Sequence, residues 1–249
     1  MSRPELSIII PTYNESKNIE TMIVRVHDSL KQHKINEEII VVDDSSPDGT
    51  AELATSLGKQ YPVRVYIRTQ RVGPGAAILD GIRLAAAPVA CVMDGDLSHP
   101  PEALPKMFDL IREKRALLVI GSRHIKGGGT SKWIWYRKFF SWGARQLGKL
   151  LTPVNDLTSG FFMFDKKILE EAEIDPIGCK VGLELMIKGK HGGQVVEYPI
   201  IFSERAAGES KMGWRETRQY IEHLFALSWW KFKRVFLPFL SPSGRGGSA

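Results

Sequence analysis

Asp94 and Asp96 stand either side of one glycine, directly after the apolar run Val89–Met93. Carboxylates at i and i+2 on a strand-ending turn offer hard oxygen ligands to Mg²⁺ or Mn²⁺ and leave other coordination positions open. A diphosphate suits those positions, and a metal held there offsets the charge that grows on a departing nucleotide. Asp-x-Asp also arises as an ordinary solvated turn; its place at a strand end favours the metal. Asp43 and Asp44 close a second apolar run, Glu38–Val42, ahead of the turn Pro47-Asp48-Gly49. A carboxylate at such an edge accepts hydrogen bonds from a nucleobase or ribose, or serves the turn chemistry and helix capping that account for Asp48, Gly49 and Thr50. A third polar cluster, Pro11-Thr12-Tyr13-Asn14-Glu15, follows the run Leu6–Ile10.

Three such clusters act together only if a frame brings the strand ends to one edge. Leu6–Ile10, Glu38–Val42, Val63–Ile67, Val89–Met93 and Leu117–Ile120 read as buried parallel strands. Between the first two, Ile19, Met22, Ile23, Val26 and Leu30 recur at helical spacing, and Thr50–Leu57, Ala76–Ala86 and Glu102–Glu113 fill the next intervals likewise. This alternation predicts an α/β fold, a doubly wound sheet covered on both faces, with ligands beyond the carboxyl ends of the strands. Arg68 to Ala76 sets a basic, glycine-containing loop before an Ala-rich helix, which suits either phosphate at a helix N-terminus or close helix packing.

The second half is less regular. The Gly-rich loop Lys126–Thr130 precedes the aromatic stretch Trp133–Phe140 and a helix to Leu151. A turn at Asp156–Gly160 leads into the run Phe161–Phe164. Then come a helix at Val181–Lys188, a strand at Val195–Phe202, the loop Glu204–Gly213 and a helix from Trp214 to Phe236. Residues 1–240 are expected to form one domain, with 241–249 a flexible tail rich in Ser and Gly.

The bulk numbers set limits. The chain has 249 residues, 43% hydrophobic and 25% charged, enough for a folded domain with a substantial core. A net charge of +6 and a pI near 9.3 favour anionic partners without choosing among them. Nucleic acid is disfavoured: no helix-turn-helix, zinc-finger or RNA-binding strand pattern occurs, and acidic clusters at the ligand edge repel a phosphate backbone. Two cysteines, Cys91 and Cys179, make neither a disulfide framework nor a thiolate metal site. No signal peptide precedes the first strand, and no stretch approaches the roughly 18–20 apolar residues of a spanning helix. Residues 133–151 and the stretch Trp229–Phe236 interleave aromatic and basic side chains. They suit helices lying on a membrane surface, or helices packed on the core with basic edges.

Taken together, the motifs resemble the inverting GT-A glycosyltransferases, and within them the dolichyl-phosphate (polyprenyl-phosphate) mannosyltransferases. The resemblance rests on Pro11–Glu15, Asp43–Thr50, Asp94-Gly95-Asp96-Leu97-Ser98-His99-Pro100-Pro101-Glu102, Gly121-Ser122-Arg123, Asp156–Phe161 and Gly208-Glu209-Ser210-Lys211, in family order over residues 5 to 235. It implies a mixed, mostly parallel sheet with amphipathic interfacial helices, and transfer of mannose from GDP-mannose to dolichyl (polyprenyl) phosphate with inversion. It also implies a peripheral place at the cytoplasmic face of a membrane. By the resemblance, Pro11, Tyr13, Glu15, Asp43, Asp94 and Lys211 would bind the nucleotide sugar. Asp94 and Asp96 would hold Mg²⁺ or Mn²⁺, with Ser98 at the third ligand position where relatives often carry Gln. Arg123, Arg137 and Ser141 would bind the acceptor phosphate, Arg123 acting with Asp94 and Asp96 in catalysis, and Asp156 would border the reaction centre. A UDP-glucose:polyprenyl-phosphate glucosyltransferase would share the mechanism and differ in donor.

Overall fold

The computed structural model describes residues 3–70, 73–130, 151–170, 172, 174, 175, 178, 180–203 and 214–240, the last without side chains at 214–217 and 235–240. The expected loop 204–213, the aromatic segment 133–150 and the tail 241–249 lie outside the described residues.

The first strand, β1 (Leu6–Thr12), lies inside the sheet with a strand on either side, so both its faces must be apolar. Ile8 and Ile10 point to one side and Ile9 to the other, and each enters a different core. On the Ile8 side lie α1 (Ile19–Gln32), α2 (Thr50–Leu57) and α4 (Leu104–Arg112), through Met22, Ile23, Val26, Ala54, Met107 and Phe108. On the Ile9 side lie α3 (Pro74–Leu84), α5 (Val181–Lys188) and α6 (Trp214–Leu240), through Ala77, Ile78, Leu183, Leu185, Leu224 and Leu227. The sheet is thus covered on both faces, as the alternation of elements predicts.

The remaining main-sheet strands are β2 (Glu37–Asp43), β3 (Val63–Ile67), β4 (Val89–Val92), β5 (Leu118–Ser122), β7 (Phe162–Asp165) and β8 (Val195–Pro199). Their spatial order is β3-β2-β1-β4-β7-β5-β8, which puts β3 at an edge with Tyr66 and Ile67 exposed, not buried as its apolar run predicts. All neighbours are parallel except at β7, which runs against both β4 and β5. The chain winds outward from β1 to β3 and then crosses back to place β4 on the other side of β1, so the switch point lies between β1 and β4. Close packing fixes this region: a Cβ on Gly81 of α3 would stand 2.3 Å from Ile9 Cγ2.

The expected strand Val195–Phe202 is two strands. The pairing of β8 with β5 ends at Pro199, and the next amide, Ile200 N–H, still donates to the Ser122 carbonyl at 3.0 Å. Past it, β9 (Ile201–Phe202) leaves the main sheet to pair with β6 (Gly129–Thr130). The final helix runs to Leu240, four residues beyond the expected Phe236.

Candidate active site

The loops after β1, β2, β4 and β5 meet at one edge. Because β7 is reversed, its N-terminal end arrives there too, bringing Asp156–Phe161 beside the residues that follow β5. Three of these loops carry a non-glycine residue in the left-handed region: Asn14 (φ 60°), Ser45 (φ 56°) and Leu97 (φ 64°). Such backbone persists only where surrounding bonds over-determine it, and it gathers at functional sites.

The bonds are present. Asp43, fully buried, accepts Thr12 Oγ1 at 2.9 Å, the Ser46 amide at 2.7 Å and Ser46 Oγ at 2.5 Å. Ser46 Oγ in turn accepts the Asn14 amide at 2.9 Å, so Asp43 ties the loop after β1 to the loop after β2. Asp48 extends the seam by accepting the Ser16 amide at 3.1 Å and the Thr50 hydroxyl at 2.5 Å. Burial would raise its pKa, but these hydrogen bonds outweigh it and hold the carboxyl below its ordinary value. Glu15 is buried, accepts Asn18 Nδ2 at 2.8 Å, and its own amide donates to Thr50 Oγ1 at 3.0 Å. Pro11 and Tyr13 are half-buried on the same loop.

Arg68 is committed elsewhere than to an open phosphate site. Its Nη1 donates to Asp44 at 2.6 Å and its Nε to Asp80 at 2.9 Å. The Gly73 amide at the start of α3 also donates to Asp44, at 3.2 Å, so the described part of this loop is internally neutralised.

The turn after β4 carries the Asp-x-Asp pair. Gly95 lies against β1, where an added Cβ would meet Ile10 Cγ2 at 3.2 Å and Thr12 Cγ2 at 3.3 Å. The side chains it separates differ sharply: that of Asp94 is 45% exposed, while Asp96 is 3% exposed. Asp96 Oδ1 accepts both the Ser98 amide at 3.0 Å and the Ser98 hydroxyl at 2.6 Å. Ser98 therefore spends its hydrogen on orienting Asp96. Among the described residues no third acidic, His or Cys side chain completes a metal cage here. Two carboxylates on a tight turn fit a hard divalent cation that keeps positions for phosphate oxygens, as Mg²⁺ and Mn²⁺ do.

Arg123, immediately after β5, forms a buried fork with Asp156. Its Nε and Nη2 donate at 2.7 Å to the two carboxylate oxygens, and its amide donates to Oδ2 at 3.0 Å. Nη2 also reaches Thr158 Oγ1 at 2.9 Å, and the guanidinium lies 5.2 Å from the Phe202 ring centre. Asp156 has no exposed surface; burial pushes its pKa up, and the Arg123 bonds and charge more than reverse that. Glu197 of β8 secures the turn by accepting the amides of Asn155 at 2.9 Å and Asp156 at 3.0 Å.

Sequence reasoning thus finds Asp94, Asp96, Asp43 and Arg123 at one edge, with Pro11, Tyr13, Glu15 and Ser98 on the same loops. Arg137, Ser141 and Lys211 lie outside the described residues. It misses the pairing of Arg123 with Asp156, and it misses His99. That ring is 2% exposed, stacks on Phe161 at 5.2 Å and accepts the Asp94 amide at Nδ1, 3.1 Å away. Burial holds its pKa below the ordinary value against the pull of the neighbouring carboxylates.

The profile of the family described as Glycosyl transferase family 2 matches residues 7–172. A dolichol-phosphate mannosyltransferase of Pyrococcus furiosus is 42% identical over 231 residues, 91% of this chain; the chain spans 64% of that relative's length. A polyprenol monophosphomannose synthase of Mycolicibacterium smegmatis is 36% identical, over 90% of this chain and 85% of its own. Among solved structures, a mannosyltransferase from Pyrobaculum calidifontis in complex with GDP-Man and Mn²⁺ superposes with a TM-score of 0.62 at 19% identity. It covers all of this chain and 77% of that one, a likeness of fold.

Proposed function

The chain belongs to glycosyl transferase family 2, and from that premise we propose that it transfers mannose from GDP-mannose to a polyprenyl phosphate such as dolichyl phosphate, with inversion. The observation that carries this reading is the meeting of the Asp94–Asp96 turn, the Asp43 seam and the buried Arg123 at one edge of the sheet. The names and extents of the two relatives support the mannose donor and the lipid phosphate acceptor.

In this reading the loops after β1 and β2 receive the nucleoside, with Asp43 bracing them from beneath and Pro11, Tyr13 and Glu15 on the first. Asp94 and Asp96 hold Mg²⁺ or Mn²⁺, with Ser98 setting the angle of Asp96. The cation supplies charge compensation to the leaving diphosphate. Arg123 and, from outside the described residues, Arg137 and Ser141 bring the acceptor phosphate to the far side of the sugar, and Lys211 meets the donor. A phosphate oxygen attacks the anomeric carbon, the bond to the diphosphate breaks, and GDP leaves with the electron pair. The attacking oxygen is already anionic at neutral pH, so no side chain need take a proton from it. The state of Asp156 supports this: a carboxylate bound by Arg123 and held below the ordinary range is a poor base. Orientation and charge compensation supply the acceleration.

A lipid acceptor calls for contact with a membrane surface, and α6 supports it. Tyr220, Leu224 and Leu227 face the core, while Ile221, Phe225, Trp229 and Phe232 stand exposed along the opposite face. Lys233 lies 5.3 Å from the Trp229 ring centre and Arg234 5.3 Å from that of Trp230, placing cations among aromatic rings. No described helix is long and apolar enough to cross a membrane, whereas this face suits the headgroup layer of an anionic bilayer. We assign the protein a peripheral place at such a surface.

The test is transfer to a short-chain polyprenyl phosphate, comparing GDP-mannose with UDP-glucose, with and without Mg²⁺ or Mn²⁺, and with Asp96→Ala as control. Metal-dependent product from GDP-mannose that is lost in the variant is expected. Product from UDP-glucose alone would retain the mechanism and replace the donor; no product from either would remove the lipid-phosphate assignment.

A further inference from the structure

His99 has no part in the transfer as outlined, yet it is built into the Asp94 turn. An imidazole nitrogen that accepts a hydrogen bond from an amide carries no proton, so the Asp94 N–H on Nδ1 requires the ring hydrogen to be on Nε2. That Nε2 lies 3.9 Å from Asp94 Oδ2, about 1 Å beyond hydrogen-bond distance. One ring therefore grips Asp94 by its backbone and faces its carboxylate. The ring itself has little room to move: Phe161 stacks on it at 5.2 Å and 19°, and Phe202 meets it edge-on at 5.4 Å. An added Cβ on Gly160 would touch His99 Cε1 at 3.4 Å and both Asp94 oxygens at 3.5 Å, so the loop before β7 closes over the pair.

The two aspartates are thus supported unequally. Ser98 grips the Asp96 carboxylate. Beside the half-exposed Asp94 carboxylate the ionisable side chain is His99. A carboxylate that must bind a cation through one oxygen is best oriented by a donor on the other.

We propose that His99 is a positioning residue for Asp94: Nδ1 pins its backbone, and Nε2–H takes up Oδ2 as a cation and diphosphate settle on the turn, leaving Oδ1 for the cation. This rests on the reading of Asp94 and Asp96 as the metal-holding pair.

The two halves of the role separate by substitution. His99→Asn keeps an acceptor where Nδ1 stands and loses the Nε2 donor; His99→Gln keeps a donor at the Nε2 position and loses the Nδ1 acceptor. His99→Phe keeps only the stack. Mn²⁺ binding to the full chain, read by electron paramagnetic resonance with GDP or UDP present, is measured beside the melting temperature. The expected result is a crossed order. His99→Asn melts above His99→Gln because the Asp94 amide stays paired, yet His99→Gln binds Mn²⁺ more tightly. His99→Phe binds it roughly 10- to 100-fold more weakly than wild type. Mn²⁺ affinity that simply follows the melting order would overturn the proposal, as would wild-type affinity in His99→Phe. Wild type that binds Mn²⁺ with neither nucleotide would remove the metal assignment itself, an outcome distinct from normal wild-type binding with unaffected variants.

Discussion

Arg123→Met should cost the protein more in stability than a surface charge ever does. The guanidinium is 8% exposed and its partner Asp156 not at all, and the pair is joined by two side-chain bonds of 2.7 Å. Removing the cation leaves a carboxylate in the interior with the Arg123 amide and the loop around it as its remaining support. Breaking a buried pair from one side costs about 3–5 kcal/mol, because the desolvated charge stays behind. In a chain of this size about 1 kcal/mol lowers the melting temperature by roughly 2–4 °C, so a fall of roughly 10 °C is expected. Far-UV circular dichroism on heating measures it at neutral pH. The double variant Arg123→Met, Asp156→Leu should recover a large part of the loss, since an apolar pair leaves no orphan charge. A melting point for Arg123→Met within about 2 °C of wild type, or two losses that simply add, would refute the reasoning.

Gly81→Ala should destabilise by roughly 1–3 kcal/mol, because the new methyl would lie 2.3 Å from Ile9 Cγ2 and 3.2 Å from Val42 Cγ2; a raised melting temperature would contradict the close approach of α3 to β1. Glu38, Asp48, Asp156 and Glu184 are all held below their ordinary values of 4.5 or 3.8, against burial, by hydrogen bonds and, at all but Asp48, by neighbouring cations. Their contribution to stability is therefore present above about pH 4.5 and lost as pH falls through their folded values. Acid titration of the unfolding midpoint should show that loss, and a midpoint rising below pH 4 would have the sign wrong. Replacing Phe225 and Trp229 together by Ser should weaken sedimentation with anionic vesicles roughly 100-fold, as about 3 kcal/mol of apolar transfer implies, without altering the melt; unchanged binding would take the membrane contact away from this face of α6.

The N-terminal half was nearly transparent in sequence because its inner strands β1, β2 and β4 are buried on both faces and its helices bury one stripe. Val63–Ile67 and Thr50–Leu57 have the bounds their residue patterns predict. The acidic clusters were legible for a related reason: polar residues that abruptly end an apolar strand stand at the sheet's edge. The reversal of β7 was not legible, since Phe161–Phe164 is an apolar run whichever way it points. With it went the meeting of Arg123 and Asp156, 33 residues apart, whose adjacency follows from that reversal. His99 was visible as a residue but not as a partner, because no periodicity shows that Leu97 turns left-handed and folds the imidazole back onto Asp94. Nor does composition show that the chain passes to a second sheet after Pro199, bringing Phe202 against that imidazole.

The reversed strand also sets an order of events for a chain emerging from the ribosome. β1 to β4 pair only among themselves until β7 arrives, so the edge that carries Asp43 and Asp94 can assemble from the first hundred or so residues. β5 is different: both its partners, β7 and β8, come later in the chain. Until residue 165 is made, the apolar Leu118–Ser122 has nothing to pair with and remains an open invitation to aggregation or chaperone capture. The half of the sheet built from β5, β7 and β8 is thus the last part to acquire structure, and variants that slow the closure of β5 on β7 would be seen first as poor yield of soluble protein rather than as poor catalysis.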